Sequence, residues 1–363
     1  MSKGFSAKVK EQMQRRLADL MSYLKKDNVD AFLVEDPKDL FYFTGQNFSM
    51  GRLWVGREEA ALFVDARYIE SAQRYSFIQP SILLSAEREK EFLQRLAPHT
   101  IAFDGALLSF NRAEALKKMA LDIGSTCISK EGYTSSVRMV KTDGEIKKIR
   151  ASASLLKKVY KELLCKIKTG MTEKDVAMCF EILLRQMGAE AAAFEPIVAF
   201  GANSAMPHHR AGDARLKTGQ IILLDLGLIA GGYHSDMTRM LFHGRPDAKM
   251  LHLCAVVKRA HSAAVALCQP GQTVAALDIA ARDQMRQEDM EPYFTHSLGH
   301  GIGLDTHERP RVRFDSIDKD LILQPGMVIT IEPGLYVPGV GGVRWEDMIL
   351  ITDKGHINLT KGV

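Results

Sequence analysis

The sequence lacks three features: an excess of one charge, a long apolar run and paired cysteines. Its 363 residues include 48 Lys and Arg against 44 Asp and Glu, a net charge of +4, so we expect no nucleic-acid partner. No apolar run approaches the roughly 20 residues of a membrane span, so we expect no membrane partner. The five cysteines are scattered along the chain, which predicts reduced, mostly buried thiols and disfavours a catalytic cysteine.

The N-terminal segment also lacks the apolar centre of a signal peptide. Residues 1–20 carry charged side chains throughout, whereas a signal peptide contains an uninterrupted apolar stretch. A cytoplasmic location is therefore the default expectation.

Length and apolar patterning predict two domains, residues 1–138 and 139–363. With 46% hydrophobic and 25% charged residues, the chain has the composition of a globular protein. In the first domain, short β-prone runs alternate with helical spacing, which indicates an α/β fold. Residues 36–45 are interpreted either as a recognition loop or, because they hold three consecutive aromatics, as core. Thr142 and Glu145 have the spacing of a capping box that opens a long helix in the second domain.

The stretch Gly219–Asp236, GQIILLDLGLIAGGYHSD, organises the second domain. Its apolar run predicts a buried strand that ends in Asp225, and a Gly-Gly turn leads to a second strand that carries Asp236. A buried carboxylate without a partner is costly, and two in one place repel each other unless a cation lies between them. A single aspartate in such a setting is more typical of a turn or an N-cap.

The same pattern occurs a second time, roughly a hundred residues later. Gly326–Gly334, GMVITIEPG, ends its apolar run in Glu332, and a second Gly-Gly turn precedes Glu346. This self-similarity predicts an internal duplication, an α+β domain with helices backing a curved, mainly antiparallel sheet. Two related halves would bring four carboxylates to the seam between them. About two divalent metal ions would neutralise them, and oxygen ligands suit Mn, Mg, Co or Zn.

Histidines in glycine-rich or turn settings accompany these carboxylates. His208 follows a turn stretch, while His296, His300 and His307 lie in or near a glycine-rich loop that permits close backbone approach to a ligand. Arg344 is interpreted either as a fork that holds a carboxylate or as a surface salt bridge. The remaining histidines have no such context and are given no site role: His234, His243, His252, His261 and His356.

The constellation resembles the pita-bread metallopeptidases, which include Xaa-Pro aminopeptidase, Xaa-Pro dipeptidase (prolidase) and methionine aminopeptidase. The motifs LLDLG, YHSDMTR, GHGIGLDTHERP, TIEPGLY and GGVRWED carry the resemblance over residues 200–352. It implies a pita-bread fold for residues 139–363, with pseudo-twofold duplication. Residues 1–138 resemble the creatinase-like N-terminal domain of the proline-specific branch, a domain that methionine aminopeptidases usually lack.

The resemblance also implies five metal ligands: Asp225, Asp236, His300, Glu332 and Glu346. Asp225 would belong to one ion, and Asp236 and Glu346 would bridge both ions. His300 and Glu332 would complete the shell of the other ion. Manganese is the first expectation for the pair of divalent ions, with cobalt or zinc as alternatives.

Further residues take catalytic and substrate-binding roles by the same resemblance. His208 and His307 would hold the scissile carbonyl and stabilise the tetrahedral intermediate, and His296 would lie near the proline of the substrate. Glu332 would also carry a proton from the attacking water to the leaving nitrogen. Arg344 would support the metal ligands from behind.

Two positions complete the comparison with the family pattern. Trp345 stands where an aliphatic residue is commoner, which affects packing behind the metals but removes no ligand. His209, next to His208, is given no role.

The sequence therefore predicts a dimetal exopeptidase that cleaves the bond before a proline in the second position, first of all an Xaa-Pro aminopeptidase. Prolidase shares every motif and is the close alternative. Methionine aminopeptidase is disfavoured by the extra N-terminal domain, and creatinase by the intact ligand set. A non-catalytic binding protein on the same fold is the alternative from another class. Relatives of this shape imply a homodimer.

Overall fold

The computed structural model of the chain describes residues 7–245 and 247–363. Residues 1–6 lie outside the described residues. They belong to the N-terminal segment, residues 1–20, for which we expect no signal peptide. The chain divides into two compact units, residues 1–138 and 139–363. None of the described helices is both long and apolar enough to cross a membrane.

The first unit is a six-stranded mixed sheet with helices, in the strand order β4-β3-β2-β1-β5-β6. Its strands are β1 (Ala31–Val34), β2 (Gly51–Gly56), β3 (Ala60–Val64), β4 (Ser81–Leu83), β5 (Thr100–Phe103) and β6 (Thr126–Ser129). Its helices are α1 (Ala7–Lys26), α2 (Pro37–Thr44), α3 (Ile69–Tyr75), α4 (Ala86–Leu96), α5 (Phe110–Asp122) and α6 (Tyr133–Met139). Strand β1 pairs antiparallel with β2 and parallel with β5, so the predicted α/β fold is confirmed.

Residues 36–45 form the short helix α2 and not a recognition loop. The side chain of Asp36 accepts hydrogen bonds from the first-turn N–H groups, and Pro37 opens the helix. Gly45 ends it in the left-handed conformation, with φ 73°. Tyr42 and Phe43 are buried, so their aromatic rings belong to the core of the unit.

The second unit contains two helix pairs and mainly antiparallel strands. Its helices are α7 (Asp143–Leu164), α8 (Glu173–Gln186), α9 (Ala248–Ala266) and α10 (Val274–Arg286), with short 3-10 turns at Gly201–Ala205 and Glu291–Tyr293. Its strands are β7 (Ala191–Ala192), β8 (Ile197–Phe200), β9 (Gln220–Ala230), β10 (Tyr233–His243), β11 (Gly299–Gly301), β12 (Glu308–Val312), β13 (Val328–Ile331), β14 (Gly334–Val337), β15 (Gly341–Arg344), β16 (Asp347–Thr352) and β17 (Gly355–Asn358). The predicted capping box of Thr142 and Glu145 opens α7, with both of its hydrogen bonds present.

The two halves of this unit repeat each other in detail. The N–H of Gly170 donates to Leu216 in the first half, and that of Gly271 donates to Leu323 in the second. Thr172 and Thr273 cap the helices that follow, and each forms an isolated bridge to the segment before the next long antiparallel strands of its half. Strand β9 pairs with β10, β7 and β8, while β13 pairs with β11 and β16, and β16 pairs with β17. The predicted duplicated α+β fold is therefore confirmed.

Candidate metal centre

Asp225 and Asp236 lie on the long hairpin of β9 and β10. Thr238 is paired with Asp225, and Gly227 with Asp236. Alternate residues share a face of a strand, so both carboxylates lie on one face of the hairpin. A Cβ on Gly227 would lie 2.4 Å from the ring of Phe194. Only glycine therefore fits opposite Asp236.

Glu332, Glu346 and His300 come from the second half of the repeat. Glu332 directly follows β13, and Glu346 lies between β15 and β16. His300 is the middle residue of β11, between two glycines that pack against neighbouring backbone. A Cβ on Gly299 would lie 2.0 Å from the carbonyl oxygen of Thr330, so this packing places the imidazole close to the carboxylates.

These side chains converge in space. One potential ligand atom from each of Asp236, His300 and Glu346 lies within 4.8 Å of the other two. The Nε2 atom of His300 is 3.2 Å from Glu332 and 3.8 Å from Asp236. Asp225 is close enough to Glu332 for the two charges to interact. All five ligands expected from the sequence therefore lie together.

Three carboxylate oxygens in this cluster are buried and accept no hydrogen bond: Asp225 Oδ1, Asp236 Oδ1 and Glu346 Oε1. A buried acceptor without a partner is destabilising. Burial, with repulsion from neighbouring carboxylates, raises the pKa of Asp236 and Glu346 well above the ordinary range. Burial raises the pKa of Asp225 as well, against the opposing charge of Arg344. Divalent cations fit this oxygen-rich set, because they would fill the free lone pairs and balance the charge.

His300 and Glu332 behave as a pair of opposite sign. Burial favours the neutral imidazole, but the hydrogen bond and charge of Glu332 outweigh it and raise the pKa of His300 to about 9. Burial likewise opposes ionisation of Glu332, but His300 outweighs it and lowers that pKa to about 2. A bound metal ion would take the place of the proton on His300, because only the neutral imidazole is a ligand.

Two threonines that the sequence analysis missed orient the carboxylates. Thr238 donates its hydroxyl to Glu346 at 2.7 Å, and Thr330 donates to Glu332 at 3.2 Å. Each threonine lies two residues from a carboxylate within a recognised motif, Thr238 after Asp236 and Thr330 before Glu332. That spacing places both side chains on one face of the strand, which is the signal that was available.

Arg344 is a buried residue and forms no surface salt bridge. Its guanidinium donates to Asp225 at 2.6 Å, to Thr238 at 3.1 Å and to the hydroxyl of Tyr336 at 2.6 Å. A fourth bond, of 3.3 Å, reaches the carbonyl oxygen of Pro207. The arginine therefore joins one carboxylate to the loop before His208.

Tyr336 and His296 form a hydrogen-bonded chain with Arg344. Since Arg344 donates to the phenolic oxygen, the hydroxyl proton of Tyr336 is available to His296 Nε2, 2.9 Å away. The other ring nitrogen, Nδ1, then donates to the carbonyl oxygen of Ser297 at 2.8 Å. Burial lowers the pKa of His296 to about 4 and raises that of Tyr336 to about 12. Both groups are therefore neutral at pH 7, and Tyr336 is a site residue that the sequence analysis did not single out.

His208 and His307 flank this cluster. The ring centroids of His307 and His300 are 4.3 Å apart. Partial burial lowers the pKa of His307, and electrostatic interaction with His300 and His208 adds to the effect. His208 also interacts electrostatically with His296. The three histidines expected to contact substrate therefore lie around one site.

Behind Glu346, Arg239 connects several backbone segments. It donates to the carbonyl oxygens of Glu346 and Thr360 and to the carboxylate of Asp347. The ring of Trp345 packs against its guanidinium, 4.5 Å from the centroid. Trp345 therefore packs against the side chain of Arg239, behind Glu346.

Comparison with known proteins decides the family. Residues 147–353 match the model of metallopeptidase family M24, and residues 16–150 match the creatinase/prolidase N-terminal domain. The chain belongs to metallopeptidase family M24. Membership in M24 confirms the resemblance seen in the motifs, and it implies divalent metal ions at the carboxylate cluster.

The similarity of this M24 chain to known proteins extends over nearly its whole length. It is 34% identical over 351 residues to the Xaa-Pro dipeptidase of Pyrococcus furiosus, covering 96% of this chain and 98% of the relative. The structure of Xaa-Pro dipeptidase from Bacillus anthracis superposes with a TM-score of 0.91 at 30% identity, covering 97% and 98% of the two chains. X-Pro aminopeptidase from Thermotoga maritima gives a TM-score of 0.83 at 30% identity, covering 93% and 96%.

Replacing Tyr336 by phenylalanine in this M24 peptidase is expected to lower kcat/KM for peptide hydrolysis by about 10- to 100-fold. The change removes the donor to His296 and leaves one buried N–H of Arg344 without its acceptor. Tyr293→Phe, on an exposed tyrosine, is the matched control. Steady-state kinetics measure kcat/KM of both variants. Values for Tyr336→Phe and Tyr293→Phe that agree within twofold would contradict the prediction.

Proposed function

We propose that this M24 peptidase hydrolyses the bond between a first residue and a proline in the second position, with two divalent ions at the carboxylate cluster. One observation carries the proposal: Asp236, His300 and Glu346 converge within 4.8 Å of one another, beside buried carboxylate oxygens that have no hydrogen-bond partner. We propose Asp225, Asp236, His300, Glu332 and Glu346 as the ligands. When bound, the ions supply an activated water near neutral pH and polarise the scissile carbonyl.

The protein side chains then bind the substrate and move protons. We propose that His208 and His307 donate hydrogen bonds to the scissile carbonyl oxygen as negative charge develops on it. Glu332, which is ionised at neutral pH, takes a proton from the attacking water. It returns that proton to the leaving nitrogen, because a tertiary Xaa-Pro amide has no N–H of its own. The neutral His296, held by Tyr336, lies beside the proline.

Within the proline-specific enzymes, we propose an Xaa-Pro dipeptide as the preferred substrate. The sequence motifs alone favoured an aminopeptidase but are shared by both activities. The relative from Pyrococcus furiosus at 34% identity and the structure with a TM-score of 0.91 are both named Xaa-Pro dipeptidase. The X-Pro aminopeptidase structure, with a TM-score of 0.83, keeps the aminopeptidase as the second candidate.

A peptide panel tests this proposal. The metal-stripped protein is loaded with Mn(II), Co(II) or Zn(II) and assayed on Ala-Pro, Ala-Pro-Ala and Met-Ala-Ser. We expect kcat/KM to be at least about tenfold higher for Ala-Pro than for Ala-Pro-Ala, with Mn(II) as the best activator and no cleavage of Met-Ala-Ser. The opposite peptide order would make the protein an aminopeptidase. No cleavage of any peptide would favour the non-catalytic binding protein.

The homodimer expected from relatives is part of the proposal. Sedimentation equilibrium of the metal-loaded protein is expected to give twice the chain mass of 40.4 kDa.

A further inference from the structure

His208 and His307 lie in two loops whose backbones are held by buried carboxylates outside the metal cluster. The first carboxylate is Glu173, the opening residue of α8, whose side chain is fully buried. The second is Glu308, the opening residue of β12, whose side chain is 5% exposed. Glu173 lies in none of the recognised motifs, and Glu308 lies in GHGIGLDTHERP but was given no role. Neither is among the five candidate metal ligands.

Glu173 accepts four hydrogen bonds from the loop that contains His208. Its Oε1 atom accepts from the N–H of Phe200 at 2.8 Å and from the side chain of Asn203 at 2.9 Å. Its Oε2 atom accepts from the N–H of Gly212 at 2.9 Å and bonds to His209 Nε2 at 2.7 Å. Burial opposes the charge, but these donors outweigh it and lower the pKa of Glu173. An ionised carboxylate therefore fixes the loop at both ends and beside His208.

The opposite side of the same loop is held by β15. The hydroxyl of Ser204 accepts from the N–H of Gly342 at 2.8 Å, and Arg344 donates to the carbonyl oxygen of Pro207. A Cβ on Gly342 would lie 2.1 Å from the carbonyl oxygen of Ser204. The loop is therefore fixed on two sides, while the side chain of His208 remains exposed.

Glu308 has the corresponding relation to His307. Its Oε1 atom accepts from the N–H groups of Leu304 and Asp305 at 2.9 and 3.1 Å. Its Oε2 atom forms an ion pair of 3.0 Å with Lys141, whose side chain is 1% exposed. These bonds fix the turn that immediately precedes His307. Its side chain, like that of His208, is exposed.

We propose that Glu173 and Glu308 are positioning residues that hold His208 and His307 at the scissile carbonyl. The inference rests on the proposed function, because it needs both histidines to act on the substrate. A buried carboxylate can accept from several donors at once, whereas the –NH₂ group of a glutamine at the same place would face donors with another donor. Such a change shifts the loop without touching a metal ligand, and a displacement of about 1 Å can lower a rate by about 100-fold.

Kinetics and metal binding together test the inference. Glu173→Gln and Glu308→Gln are prepared alongside Glu181→Gln, a control on an exposed residue of the same helix α8. We expect each of the first two to lower kcat for Ala-Pro about 10- to 100-fold. The affinity for Mn(II), measured by calorimetry, is expected to stay within twofold of the parent. The control is expected to leave both quantities unchanged.

Double variants separate a positioning role from a structural one. Because Glu173 acts through His208, Glu173→Gln is expected to lower kcat no further in a His208→Ala background. In a His307→Ala background it is expected to lower kcat by its full factor. Glu308→Gln is expected to show the reverse. Should Glu173→Gln or Glu308→Gln fail to fold, Asn203→Ala and Lys141→Met, which each remove one partner of the carboxylate, take their places.

The outcomes distinguish this inference from the proposed function. The positioning role is wrong if the parent protein cleaves Ala-Pro but each glutamate substitution lowers kcat by the same factor in both histidine backgrounds. It is also wrong if Mn(II) affinity falls in step with kcat. If the parent cleaves none of the peptides with any of the ions, the proposed function fails and the inference falls with it. If each glutamate substitution loses its effect on kcat only when the histidine of its own loop is replaced, the result supports both the positioning role and the proposed function.

Discussion

Replacing Asp236 by asparagine is expected to lower kcat/KM for Xaa-Pro hydrolysis by at least about 10³-fold. Asp236 lies at the centre of the cluster, near His300 and Glu346, and one of its oxygens has no hydrogen-bond partner. Asparagine keeps the size of the side chain but removes the negative charge that would hold the cations. Metal ions contribute several kcal/mol of transition-state stabilisation, and each 1.36 kcal/mol is a factor of ten in rate.

The same substitution at Asp320, an exposed aspartate of the second unit, is the control and is expected to change kcat/KM by less than twofold. Calorimetry with Mn(II) should show weakened binding in Asp236→Asn alone. If Asp236→Asn retained more than a tenth of the parental kcat/KM at saturating Mn(II), Asp236 would not be a ligand of a catalytic ion.

Removal of divalent ions is expected to lower the thermal midpoint of unfolding by about 5–10 °C. A ligand present at about 100 times its dissociation constant stabilises the folded state by about 2.7 kcal/mol, and each kcal/mol corresponds to about 2–4 °C in a unit of this size. Without cations, the buried carboxylates Asp225, Asp236 and Glu346 repel one another. Asp236→Asn is therefore expected to stabilise the metal-free protein while reducing the stabilisation that Mn(II) confers.

The stability of the metal-free protein should fall as the pH rises from about 6.5 to 9. In that window the folded chain retains a proton on His300, whose pKa is raised from 6.5 to about 9, and the raised pKa values of Asp236 and Glu346 act in the same direction. The unfolded chain has lost that proton, so a rise in pH favours unfolding. Glu332, whose pKa is lowered to about 2, stays ionised throughout the window and does not change the slope.

Bound metal ions should reverse this dependence. Metal ions compete with protons for the same ligand atoms, so the increase in thermal midpoint on adding Mn(II) is expected to be larger at pH 8.5 than at pH 6.5. Calorimetric scans of the stripped and Mn(II)-loaded protein at both pH values measure this difference. An increase that shrinks as the pH rises would show that Mn(II) does not bind at these carboxylates.

The strands that lead to the clustered carboxylates could be predicted from the sequence, because each is a local pattern that occurs twice. An apolar run with a carboxylate at its end is unusual once, and its repetition at Glu332 and Glu346 indicated a shared site. The caps and glycines were equally readable, since Thr142 with Glu145 and the Gly-Gly turns act over a few residues. Helix α7 consequently starts within a few residues of its expected position.

The supporting network could not be predicted, because its partners are far apart in the chain. Arg239 reaches residues 346 and 360, and Glu173 reaches the loop up to Gly212. No short motif encodes such distances. His209 illustrates the point: its sequence setting gave it no role, yet its Nε2 atom donates to the fully buried carboxylate of Glu173. The helix at residues 37–44 was also missed as a helix, since three consecutive aromatics do not show helical spacing.

The division of the candidate metal ligands between two repeats has a consequence for biosynthesis. The hairpin that holds Asp225 and Asp236 leaves the ribosome long before Glu346 has been translated, at about 5–20 residues per second. During that interval the nascent chain carries two aspartates without the donors that complete their site. We therefore expect the cluster to bind its metal ions only after Glu346 has been translated.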